Sequence, residues 1–206
     1  MLIVLLVLHI LYAAASAALP IALPGCQDKC GEVAIPYPFG IGSECARDSG
    51  FIITCNTSFT PPLPVLGSTN IDLLDIQLPL GLIRVNEIVA NECHSESGIN
   101  DSYANVWTDL SELPYKFSDS RNKFVGIGCD TKAYLLDKEL VFMTGCSSMC
   151  NDISYVTNGT CAGIGCCEIP IPKGLGVFTV YAASDYSHSK CMDFSPCSYA
   201  FLVDDG

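Results

Sequence analysis

The residues with the most chemistry in this 206-residue chain are its thirteen cysteines: Cys26, Cys30, Cys45, Cys55, Cys93, Cys129, Cys146, Cys150, Cys161, Cys166, Cys167, Cys191 and Cys197. Cys26/Cys30 and Cys146/Cys150 have spacings that a metal ion could use. In an exported chain of this cysteine density a disulfide framework is the stronger expectation. Adjacent Cys166 and Cys167 point to opposite faces of an extended segment, so they are expected to bond different partners and to knit two layers. The connectivity does not follow from sequence. Thirteen is odd, so one thiol lacks an internal partner or bonds outside the chain.

Other reactive groups are sparse. His9 falls in the leading apolar segment, which leaves His94 and His188 for imidazole chemistry. Gly-x-Ser-x-Gly and His-Glu-x-x-His are both absent from the sequence. Gly40-Ile41-Gly42, Gly126-Ile127-Gly128 and Gly163-Ile164-Gly165 recur, but none continues to a third glycine or to Lys-Ser/Thr. They read as turn or strand-end glycines, not phosphate cradles. Asp72, Asp75 and Glu87 are scattered over expected strands, whereas a glycosidase needs two acids across a cleft. The expectation is a chain that is not an enzyme and holds no resident metal or cofactor.

Charge narrows the partners. Twenty-two acids against ten bases leave a net −12, which argues against nucleic acid and against bulk attraction to any polyanion. The densest basic cluster is Lys116, Arg121 and Lys123, with Trp107, Tyr115 and Phe117 nearby. Cations and aromatic rings this close in sequence are a candidate contact patch. The plain alternative is ordinary surface and core.

These residues must be positioned by short strands. Residues 1–18 are almost wholly apolar, with an h-region over 2–11 and a small-x-small site at Ala15-Ser16-Ala17, so 1–17 reads as a signal peptide cut after Ala17. No Lys or Arg precedes the h-region, and an uncleaved membrane anchor is the competing reading, although the run is marginal against the ~20 residues of a span. Afterwards the apolar content lies in short segments bounded by Gly, Pro, Asn and Ser. The texture is mostly β: a disulfide-rich extracellular module of short antiparallel strands, in one body or two sub-lobes.

The mature chain opens on Cys26–Gly40 as an extended arm, with Tyr37 and Phe39 expected on one face between Pro36 and Pro38. Strands are expected at 51–55, 71–78, 82–90, 133–136, 140–143, 177–182 and 199–203, with a turn at Pro79-Leu80-Gly81. Residues 60–64 and 95–103 read as loops, and 117–129 as a hairpin carrying the basic cluster near its tip. Few large apolar residues lie between Cys146 and Cys167, so covalent bonds must replace a core there. Asn56, Asn100 and Asn158 head Asn-x-Ser/Thr sequons and are expected to carry glycans on surface loops.

A family pattern runs along the chain. Cys26-x-x-x-Cys30-Gly31 leads to Ile35-Pro36-Tyr37-Pro38-Phe39-Gly40, then Phe51-x-Ile53-x-Cys55 and Phe124-Val125-Gly126-Ile127-Gly128-Cys129. Gly145-Cys146-Ser147-x-x-Cys150, Cys161-x-Gly163-x-Gly165-Cys166-Cys167 and Phe194-Ser195-Pro196-Cys197-Ser198-Tyr199-Ala200-Phe201-Leu202-Val203 follow. Together these resemble the cysteine-rich, galacturonan-binding ectodomain of plant wall-associated receptor kinases, over residues 26–203. The resemblance implies an extracellular module at the cell-wall face of the plasma membrane that binds pectin or oligogalacturonide. In family members EGF-like repeats, a membrane span and a kinase follow; the chain as given carries none of them. The resemblance accounts for twelve cysteines and leaves Cys191 as the free-thiol candidate. It sharpens the basic cluster into a pectin site made of Lys116, Arg121, Lys123, Trp107 and Tyr115, with bridging Ca²⁺ as the other way to reconcile two acidic partners. A cysteine-rich spacer or protein-binding module in cell-surface signalling is the alternative function.

Overall fold

The computed structural model describes residues 21–97, 100–139 and 141–205. The signal peptide expected at 1–17 lies outside them.

Two hydrophobic cores divide the described residues into two lobes. The first lobe contains β1 (Lys29–Cys30), β2 (Val33–Ala34), β3 (Gly40–Ile41), β4 (Ile52–Asn56), β5 (Leu63–Leu66), β6 (Asp72–Gln77) and β7 (Leu82–Asn86). β1 and β2 form a small ribbon, and the others a sheet in the order β3-β4-β5-β6-β7. All pairings here are antiparallel except β3 with β4. Ile53, Leu66, Ile71 and Leu73 turn inward from this sheet against Cys30, Ile35 and Phe39 of the arm. The β6–β7 turn is the expected one: Leu78–Leu80 makes a short 3-10 turn and Gly81 takes φ 64°, a conformation open to glycine at no steric cost.

The arm itself departs from the expectation. Tyr37 is 43% exposed while Phe39 is 4% exposed, so the two rings do not share a face. The chain turns between them, with the Phe39 N–H donating to the Pro36 carbonyl at 2.9 Å, and the two-residue alternation of an extended segment is lost. Phe39 packs edge-on against Phe51 at 5.2 Å and stacks with Tyr115 at 6.2 Å. Residues 60–64 are likewise only partly loop, because β5 begins at Leu63 and carries Pro64 opposite Cys55. The missing donor is tolerated because β6 meets β5 only at Val65–Asp72.

The second lobe is a sandwich of two sheets. It contains β8 (Ala90–His94), β9 (Asn100–Ala104), β10 (Val106–Asp109), β11 (Asn122–Ile127), β12 (Thr131–Asp137), β13 (Met143–Ser148), β14 (Cys166–Pro170), β15 (Val177–Ala183) and β16 (Cys197–Asp204). One sheet runs β10-β15-β12-β13 and the other β14-β11-β16-β8-β9. On β15 the side chains alternate strictly, Phe178, Val180 and Ala182 inward, and β12 answers with Ala133 opposite Ala182 and Leu135 opposite Val180. Phe124, Ala200 and Ala90 close the core from the facing sheet. The sheets approach closely at Gly126, where a Cβ would stand 2.8 Å from the Ala133 Cβ and 3.1 Å from the Cys167 Sγ.

Four expectations fail here. The strand expected at 140–143 begins only at Met143 and runs on to Ser148 as β13, with residue 140 outside the described residues. The 95–103 segment is not all loop, since β9 pairs along β8 as an edge strand. The 82–90 strand is split, β7 ending at Asn86 and Ala90 opening β8 in the other lobe. The 117–129 hairpin does not form. Ser118 caps a tight turn, accepting from Arg121 N and Asn122 N, and β11 then enters the middle of its sheet between β14 and β16. The apolar Phe124–Ile127 stretch is indeed a strand; its partners are remote segments, which a local pattern does not reveal.

Six disulfides staple this frame: Cys26–Cys45, Cys30–Cys55, Cys93–Cys197, Cys129–Cys150, Cys146–Cys167 and Cys161–Cys166. Cys166 and Cys167 take different partners, and Cys146–Cys167 joins β13 of one sheet to β14 of the other. Cys191 is the free cysteine and is buried. It lies against Cys129 and Cys150, with Val156 and Phe194 packed around them.

Candidate functional site

The lobes meet along residues 110–118, and a groove opens beside that crossing. Phe117 packs on both cores. Tyr115 donates its hydroxyl to the Gly50 carbonyl at 2.6 Å. Burial, with the Asp48 carboxylate adding to it, pushes that phenol up to about 12, against a smaller opposite effect of Arg47. Tyr115 is thus a neutral, anchored ring that positions its neighbours.

The groove has a volume of about 500 Å³ and takes Arg84 from β7, Lys116 from the crossing and Arg121 from the turn before β11. Its walls include Leu82, Phe201 and Val203. The Lys116 stem lies along Gly176, where any Cβ would come within 2.8 Å of its Cδ. Asp204 holds the arginines: Arg84 Nη2 is 2.8 Å from its Oδ2, and Arg121 Nε is 3.9 Å from its Oδ1. Among the described residues the Arg121 Nε meets no acceptor at hydrogen-bond distance. The groove lining carries these three cations against two carboxylates, Asp204 and Glu87, a local positive excess inside a molecule of net charge −12.

The five residues expected to form one pectin site are distributed over three places. Lys116, Arg121 and Tyr115 line the groove. Lys123 lies on β11 and is consumed by carboxylates, Glu168 at 2.9 Å and Asp205 at 3.0 Å. The hydrogen bonds to Glu168 and then Asp205 hold its ammonium above the ordinary lysine value. Trp107 is on β10, 62% exposed, in a separate cleft. Arg84 was missed by the sequence reading. Its only signal is a lone cation within the otherwise apolar 82–85 stretch.

The sequons are also placed. Asn56 ends β4 half-buried, its side chain accepting from Ser58 N at 3.0 Å. Asn100 opens the edge strand β9 and Asn158 sits in a turn, both exposed. Among the described residues no group of three or more His, Cys, Asp and Glu side chains is arranged to hold a metal ion. Nor is any helix among them long and apolar enough to cross a membrane.

With this geometry in place, comparison with known proteins is informative. The family model for the wall-associated receptor kinase galacturonan-binding region matches residues 26–87, the extent of the first lobe from its first cysteine to the end of β7. Wall-associated receptor kinase 2 of Arabidopsis thaliana is 34% identical over 184 residues, 88% of this chain. The chain belongs to the wall-associated receptor kinase family. Wall-associated receptor kinase 5 of the same plant is 33% identical over 88% of the chain, and wall-associated receptor kinase-like 6 is 32% identical over 86%. These alignments reach into both lobes. The chain spans 24%, 24% and 30% of the length of these three relatives. No solved structure matches it.

Proposed function

We propose that residues 26–203 form an extracellular polysaccharide-binding module that takes pectin or oligogalacturonide in the groove of Arg84, Lys116 and Arg121. The observation that carries this reading is the gathering of three cations from three separated segments into one groove. Homogalacturonan bears one carboxylate per sugar, so a row of cations suits it, and each arginine can grip a carboxylate with two parallel hydrogen bonds. The matched family model, described as galacturonan-binding, supports the same ligand class. The family's character supports a place at the cell wall, with attachment to the membrane supplied in longer relatives by other segments.

Attraction is short-ranged in this reading. A net −12 repels a polyanion at distance, and the groove acts within the ~10 Å over which salt screens charge. Calorimetric titration with an oligogalacturonide in chelator tests it. Arg84→Glu/Lys116→Glu/Arg121→Glu is expected to abolish binding, and Lys123→Glu to leave it intact because Lys123 is already paired. Binding by the triple variant in chelator would overturn the groove. Binding lost on chelation in the unaltered chain would favour bridging calcium instead.

A further inference from the structure

A second cleft, of about 470 Å³, lies between the free edge of β10 and two turns of the first lobe, at 69–71 and 86–88. Its character differs from the groove. On β10, Val106 and Thr108 are each 4% exposed and face the protein, while Trp107 between them is 62% exposed. Trp107 is the sole tryptophan of the chain. Around it stand Asn70, Asn86 and Asn105, all exposed, each offering one carbonyl acceptor and two amide donors. Glu87 joins the sides of the cleft by accepting a hydrogen bond from the Thr108 hydroxyl. No lysine or arginine lines it, and its two ionisable residues, Glu87 and Asp109, are both acidic.

We propose that this cleft is a second carbohydrate site, one that takes an uncharged pyranose unit. A sugar ring offers an apolar C–H face, which an exposed indole matches, and a rim of hydroxyls that both donate and accept. Side-chain amides are the neutral groups that answer such hydroxyls in both senses. A uronate is disfavoured here, because its carboxylate would meet Glu87 and Asp109, of which only Asp109 has a cation nearby, Lys138 at 3.8 Å outside the cleft lining. Burial pushes the Glu87 carboxyl up, opposed by the weaker effect of the Thr108 hydrogen bond, and an added anion nearby would push it further in the same direction. The two clefts adjoin and share Ile71, Asn86 and Glu87, but they share no basic residue, so the inference does not depend on galacturonan binding in the groove.

Because Trp107 is alone, its fluorescence reports on this cleft only. The probes are xylotetraose, cellotetraose and β-1,4-galactotetraose, with trigalacturonate as the anionic counterpart. At least one neutral probe is expected to shift Trp107 emission to the blue and to protect it from acrylamide quenching, and trigalacturonate to do neither. In calorimetry Trp107→Ala should weaken the neutral probe by about tenfold or more, Trp107→Phe should restore part of it, and Asn105→Ala should weaken it while the emission remains readable. Arg84→Glu/Lys116→Glu/Arg121→Glu should bind the neutral probe normally, so failure of the groove is distinguishable from failure of the cleft. Silence with all three neutral probes, or undiminished binding by Trp107→Ala, would overturn the proposal.

Discussion

Arg84 Nη2 lies 2.8 Å from Asp204 Oδ2, so the last strand of the first lobe is ion-paired to the last strand of the second. The pair sits at the groove and competes with any anionic ligand for the same guanidinium. Asp204→Asn is therefore expected to raise oligogalacturonide affinity severalfold. With the side chains 53% and 28% exposed, the cost in stability should stay within about 1 kcal/mol. Paired calorimetric and thermal-unfolding measurements check both halves; an unchanged or reduced affinity would remove Asp204 as a competitor.

The disulfides should contribute unequally. Cys93–Cys197 closes a separation of 104 residues and Cys161–Cys166 one of 5. On loop entropy alone these correspond to about 5 and about 2 kcal/mol. The first figure is an upper bound, because Cys129–Cys150 and Cys146–Cys167 already shorten the enclosed loop. Cys93→Ala/Cys197→Ala should lower the denaturation midpoint clearly more than Cys161→Ala/Cys166→Ala. Full reduction should unfold the second lobe, seen as loss of near- and far-ultraviolet circular dichroism.

Cys191 should be chemically silent in the folded protein. It is 0% exposed, and burial, with Asp130 and Asp193 adding to it, pushes its thiol up, so little reactive thiolate forms. Iodoacetamide should label nothing in native buffer and one cysteine in denaturant, mapping to Cys191. Native labelling at a rate like that of free cysteine would contradict this burial.

The neighbouring His188 should make stability fall in acid. Its ring is fully buried, with Nε2 3.1 Å from the Ser198 hydroxyl and Nδ1 3.8 Å from Cys191 Sγ. Burial holds it below the ordinary histidine value of 6.5, outweighing the raising effect of Asp130, while His94 lowers it further. A histidine whose folded value is depressed binds its proton more readily unfolded. Its neutral form therefore supports the fold above about 6.5, and that contribution drains away as pH falls towards the depressed folded value. Urea midpoints measured across this range should decline for the unaltered chain and decline less for His188→Gln. Parallel curves for the two would place the acid sensitivity elsewhere.

Local chemistry was legible from the sequence alone. The strands expected at 133–136 and 177–182, the turn at Pro79-Leu80-Gly81 and the divergence of Cys166 from Cys167 all depend on a few adjacent residues, and each is found, the two strands running slightly longer as β12 and β15. The ordered cysteines and the Ile35–Gly40 motif also carried the family.

Tertiary structure decided which segments meet. The 122–127 stretch has the same apolar, strand-forming composition whether its partner is the preceding segment or β14 and β16, so a hairpin was a fair reading and a wrong one. The same physics dispersed the basic cluster. Nearness in sequence brought Lys123 and Arg121 together on paper, but Arg121 lies in the turn before β11 beside Asp204 while Lys123 on β11 is taken by Glu168 and Asp205, and Arg84 entered from another lobe. Trp107 was likewise drawn away from Lys116 because β10 docks as an edge beside β15. Side-chain period is a property of neighbours along the chain. Strand pairing and ion pairing are settled by the free energy of the whole packed molecule, in which residues far apart in sequence compete for the same partners.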